Sequence, residues 1–133
     1  MRNLTTILSI LFLLTPATAH AKRIDKMSTG ELISELKNST KPERRVEATQ
    51  RLAETGAREA TATLGGICRN SKSPEALCVA SIKALGDFGT SAALTHVQAT
   101  LNFNASPASG RSQALAVLMR ADQPRLKESI PKL

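Results

Sequence analysis

Aromatic side chains are nearly missing from this sequence: it has three phenylalanines in 133 residues, no tyrosine and no tryptophan. Phe12 lies in the first apolar run, so only Phe88 and Phe103 remain for the rest of the chain. Binding of single-stranded nucleic acid by base stacking needs aromatic faces, and that class is set aside. Histidine is almost as scarce, with His20 and His96. Two cysteines, Cys68 and Cys78, with one distant histidine fall short of the four ligands of a structural zinc site, so neither metal nor cofactor is expected. No phosphate loop, GxSxG elbow or HExxH pair occurs. Beyond the first residues no apolar run approaches the roughly 20 residues that span a bilayer. Alternation with period two is also missing, which excludes strands and points to an all-α chain.

The one long apolar run lies at the start. Arg2 gives a short positive beginning, Ile7 to Leu14 is apolar except for Ser9, Pro16 breaks the run, and Ala19-His20-Ala21 fits the small-x-small cleavage rule. Residues 1–21 are therefore expected to be a signal peptide, cleaved near Ala21. The next residue is Lys22, not cysteine, so the pattern for an N-terminal lipid anchor is absent. The expected location is the periplasm or outside the cell. Residues 22–133 suffice for one domain with one core. Acids are the minority charge, 11 against 18 Lys and Arg, for a formal net charge of +7. With nucleic acid set aside by the expected export, the basic balance points to an acidic protein partner or to an ordinary solvated surface.

What the sequence does contain is a repeat. Leu52, Leu85 and Leu118 are 33 residues apart. Ala48, Ser81 and Ala114 precede them by four residues, and Thr49, Ile82 and Leu115 follow those. Ala60, Ala93 and Leu126, then Leu64, Val97 and Ile130, continue the register. A period near this length marks one supersecondary unit copied and stacked, because a single unit cannot bury its apolar face alone.

Local signals place the helices. Ser28 with Glu31 reads as a capping box opening a short helix to about Lys37. Pro42 suits the first turn of the next helix, whose stripe is Val46, Thr49, Leu52 and Ala53, and Gly56 stops it. Its partner carries Ala60, Leu64, Ile67 and Cys68, with Gly65-Gly66 marking either a close helix approach or a hinge. In the second unit Ser73 is the expected N-cap and Pro74 the first helical residue. The stripe there is Val79, Ile82, Leu85 and Gly86, and Gly89 ends the helix. Ala93, Leu94, Val97 and Leu101 line its partner. The third unit begins at Ser106-Pro107, with Leu115, Leu118 and Met119 as one stripe and Leu126, Ile130 and Leu133 as the other. Asp122 stands where the terminal glycine was.

Cys68 and Cys78 are expected to form a disulfide, with two free thiols as the alternative. Cys78 shares its phase with Arg45 and Arg111, where a core-filling cysteine would not be expected. The bond would staple the end of one helix to the start of the next. His96 has the phase of Thr63 and Ser129, beside the buried stripe, and is read as a polar residue tucked against the core. Glu54 and Asp87 share a phase one unit apart and read as a solvated edge between units.

The stretch Lys83-Ala84-Leu85-Gly86-Asp87-Phe88-Gly89, with Ser91-Ala92-Ala93-Leu94 and Val97 to Leu101 after it, resembles the HEAT-like repeat. It is most similar to the short form known from phycobilisome lyases. Arg51 to Gly56 is a looser copy and Leu118 to Asp122 looser again, so the resemblance covers about residues 40 to 133. It implies a right-handed α-solenoid of about three antiparallel helix pairs with a short N-terminal helix. It implies no catalytic residue, because the motif describes packing, and no enzyme is expected.

The expected function is a protein-binding scaffold or adaptor using the concave face, which the second helices line. The expected contact residues there are Arg58, Arg69, Thr95, Gln98, Asn102 and Arg125. An immunity or inhibitor protein blocking a periplasm-acting toxin or cell-wall hydrolase is the alternative. An accessory enzyme or lyase-like protein is the alternative of another class.

Overall fold

Seven α-helices account for most of the described residues, and no strand occurs among them. The computed structural model describes residues 22–121 and 123–132. The expected signal peptide, Asp122 and Leu133 lie outside them, as does the side chain of Leu126. A 3-10 turn at Ile24–Lys26 leads into α1 (Thr29–Asn38) and α2 (Pro42–Glu54). A second 3-10 turn, Arg58–Ala60, opens α3 (Thr61–Ile67), which is followed by α4 (Glu75–Phe88) and α5 (Ser91–Asn102). Then come α6 (Ala108–Ala121), α7 (Gln123–Ser129) and a 3-10 turn at Ile130–Lys132.

The capping box forms as read: Ser28 Oγ accepts from the Glu31 amide at 3.2 Å, and the Ser28 amide donates to Glu31 Oε1 at 3.2 Å. Pro42 is the first residue of α2. Gly56 and Gly89 have φ of +65° and +63°, the left-handed backbone that ends a helix and that glycine adopts without a Cβ penalty. One expected cap is corrected. Pro74, not Ser73, occupies the N-cap position of α4 and makes no side-chain cap bond. Ser106, where the third unit begins, donates its hydroxyl to the Cys68 carbonyl at 3.0 Å. Thr90, not singled out in the sequence, caps α5 by accepting from the Ala93 amide at 3.2 Å.

The 33-residue register is a burial register. Leu52, Leu85 and Leu118 are fully buried, as are Ala48, Ser81 and Ala114. Polar Thr49 and Ser81 are tolerated inside because each hydroxyl donates to the carbonyl four residues back, on Arg45 and Leu77. The first helices pack in series, α2 on α4 and α4 on α6, and the second helices likewise, α3 on α5 and α5 on α7. α4 sits at the centre, against α2, α3, α5 and α6. Gly86 lets α4 and α6 approach, since a Cβ there would stand 2.9 Å from Val117 Cγ2.

The third unit departs from its expected stripes. Met119 is 55% and Ile130 57% exposed, and Val117 takes the core place instead. α7 packs on α5 and α6, and no later second helix lies against it among the described residues. No helix of the described residues is long and apolar enough to cross a membrane.

Candidate functional site

The second helices are joined to one another by polar side chains. Arg69, just past α3, donates to the Gly65 carbonyl at 3.0 Å and reaches across to His96 Nδ1 on α5 at 3.2 Å. Arginine has no acceptor, so Nδ1 accepts and the ring proton sits on Nε2. The ring rests on the bare Cα of Gly65, where a Cβ would overlap it. Of the two readings of Gly65-Gly66, this is close approach, and it concerns Gly65 alone, because Gly66 has open space. Burial first, and the Arg69 guanidinium second, hold the His96 imidazole below its usual range.

This has a consequence for stability. A histidine with a lowered folded pKa is protonated more readily in the unfolded chain. Its contribution is then fully present above the ordinary value of 6.5 and is lost as pH falls through the folded value. The fall in melting temperature from pH 7 to pH 5 is expected to be shallower in His96→Gln than in the wild type. An identical slope would mean that His96 is not coupled to folding.

One unit further on, Arg125 donates to Thr95 Oγ1 at 2.9 Å and to Ser91 Oγ at 3.0 Å. Gln98 donates to the Arg125 carbonyl at 3.3 Å. Thr95, Gln98 and Arg125 thus come together as one cluster spanning α5 and α7. Arg58 is exposed in the turn before α3, separate from the others. Asn102 does not turn outward as expected. It is half-buried, and its Oδ1 is enclosed without a hydrogen-bond partner among the described residues.

The disulfide is present between Cys68 and Cys78, with Cα atoms 4.7 Å apart. Both residues are buried, which corrects the surface expectation for the Cys78 phase. Arg45, at that phase in the first unit, is half-buried and donates through Nε to the Leu36 carbonyl at 2.7 Å. In the third unit the Nε of Arg111 is buried and makes no hydrogen bond among the described residues. The position fastens a first helix to the end of the preceding helix, by a guanidinium in one unit and a covalent bond in the next. A long side chain with an apolar stem and a polar tip can enter such a joint, so arginine there does not mean exposure. Gly110 of α6 closes over the bond, because a Cβ on it would overlap Cys78 Sγ.

The first helices present a different surface. Glu54 and Asp87, expected at a solvated edge, line one depression of about 340 Å³ with Gln50, Ala53, Ala80, Lys83 and Ala84. A neighbouring depression of about 490 Å³ shares Gln50, Ala80 and Lys83 and continues to Val46, Val79 and Glu75. The described residues contain no group of three or more histidine, cysteine or acidic side chains placed to hold a metal ion. Comparison with family models, curated proteins and solved structures gives no match.

Proposed function

We propose that the chain is an exported, small HEAT-like α-solenoid that serves as a protein-binding scaffold or adaptor, meeting an acidic partner on the face of its second helices. The observation that carries this reading is the pair of polar bridges along that row, Arg69 to His96 and Arg125 to Thr95 and Ser91. They hold long cationic side chains in fixed positions before any partner arrives, which lowers the ordering cost of binding. Arginine is enriched at binding hot spots, and its charge speeds encounter with an acidic surface. Packing of first helix on first helix and second on second supports the solenoid. The apolar run of residues 1–21 supports export to the periplasm.

The test is a triple change of Arg58, Arg69 and Arg125 to serine, with the fold checked by melting. A partner captured from envelope extract by the wild type is expected to bind the variant at least tenfold more weakly and with a flatter salt dependence. Unchanged affinity and salt dependence would remove the second-helix face as the site.

A further inference from the structure

We propose that the groove between α2 and α4 docks a short cationic, amphipathic helical segment of a partner protein. This surface lies on the first helices, and the proposal stands independently of the second-helix reading.

The two depressions between α2 and α4 share Gln50, Ala80 and Lys83, so they form one open channel. Its floor is set by small side chains. Ala76, Ala80 and Ala84 of α4 recur every four residues, which puts them on one helix face, and Ala53 of α2 lies beside them. Val46 and Val79 add apolar wall at one end. The channel is open along its length, whereas small-molecule sites enclose most of their ligand. A length of chain fits it better. From Glu75 to Asp87, α4 runs roughly 18 Å at 1.5 Å per residue, the length of about three turns of a second helix. Helix-in-groove recognition uses such a floor for the apolar face of the guest.

The charge along the channel selects the guest. Among the residues lining it, Glu54, Glu75 and Asp87 stand against the one cation Lys83, with Arg51 paired to Glu54 beside it and Ser109 donating to Glu75. That is a local acidic excess on a chain whose formal net charge is +7. Asp87 is exposed, and neither it nor Lys83 takes part in an ion pair among the described residues. Among the described residues Glu54 is engaged by Arg51 alone, at 3.3 Å, an exposed contact that a guest cation can share. An acidic segment, a nucleic acid or an anionic bilayer would meet three like charges here. A segment with Lys or Arg flanking an apolar stripe meets complementary ones.

The test pans a twelve-residue random peptide display library against the folded protein. Enriched peptides are expected to carry net positive charge with apolar residues at helical spacing. Synthetic copies should bind at least tenfold more weakly to Ala80→Arg, which fills the floor, and to the double variant Glu54→Lys/Asp87→Lys. Both carboxylates lie in the last turn of their helices, where lysine suits the helix dipole, so the charge reversal keeps the fold and decides the matter if Ala80→Arg does not. Lys83→Ala, which removes the lone cation, should tighten binding. The triple serine variant of Arg58, Arg69 and Arg125 should leave it unchanged, which separates this proposal from the second-helix reading. No enrichment, enrichment of neutral or acidic peptides, or equal binding to the charge-reversed variant would overturn it.

Discussion

Leu85→Ala is expected to lower the stability of the fold by about 2–5 kcal/mol, as large-to-small changes at buried leucines do. Leu85 is fully buried on α4, the helix that contacts both neighbouring first helices and both flanking second helices. The cavity would therefore open in the helix that four others pack against. Its carbonyl also accepts from the Gly89 amide at 3.2 Å, so the backbone there is held by the helix end and has little freedom to close the space. For a domain near this size each kcal/mol moves the melting temperature by roughly 4–8 °C, so a drop of about 10 °C or more is expected. Ile130→Ala is the control. That side chain has the apolar phase of Leu64 and Val97 but is 57% exposed, and its loss should stay within about 0.5 kcal/mol. Urea melts of the two variants check this, and equal costs at Leu85 and Ile130 would mean that the burial register is misassigned.

Ile130 also shows what a repeat in the sequence can and cannot report. The 33-residue spacing located the central leucine of the first-helix stripe in all three units, since Leu52, Leu85 and Leu118 are each fully buried. For the second helices the surroundings differ: α3 and α5 each have a following second helix against them, whereas α7 has none among the described residues. The same residue phase then meets packed side chains in two units and open surface in the third. Cys78 shows the opposite limit. Arginine at its phase suggested the surface, yet Arg45 enters the joint because the Leu36 carbonyl offers its guanidinium an acceptor. Residue type reports burial only when the polar end finds no partner inside. Ser106, at the start of the third unit, is a related case. The Ser106 hydroxyl bonds the Cys68 carbonyl, 38 residues away in sequence, and local spacing does not carry such a contact. The bridges from Arg69 to His96 and from Arg125 to Thr95 are of this kind too. Their residues stood out in the sequence as polar, but their pairing follows from how closely the second helices approach.

Gly110→Ala is expected to cost roughly 1–3 kcal/mol, the usual range for overpacking a core, although alanine favours a helix over glycine by about 1 kcal/mol. The reason lies in what the new methyl would meet. Its nearest neighbour is Cys78 Sγ, with Cys68 Sγ at 3.5 Å, and these atoms are bonded to each other. An ordinary side chain could rotate aside, but a bridged sulfur is held by two helices at once. The start of α6 is held as well, since Ser106 donates to the carbonyl of Cys68. Gly65→Ala is the contrasting case. Its methyl would overlap the His96 ring, but that ring is half-buried on a side chain with no covalent bridge and can swing out at the loss of its bond to Arg69. With the gain in helix propensity, Gly65→Ala should end within about 1 kcal/mol of the wild type. A double-mutant cycle isolates the cause. In a Cys68→Ala/Cys78→Ala background the sulfurs are gone, and Gly110→Ala should then be neutral or stabilising by a few tenths of a kcal/mol. If Gly110→Ala costs the same with and without the bridge, the strain does not come from the disulfide, and the packing of α6 over Cys68 and Cys78 is not what requires glycine at this position.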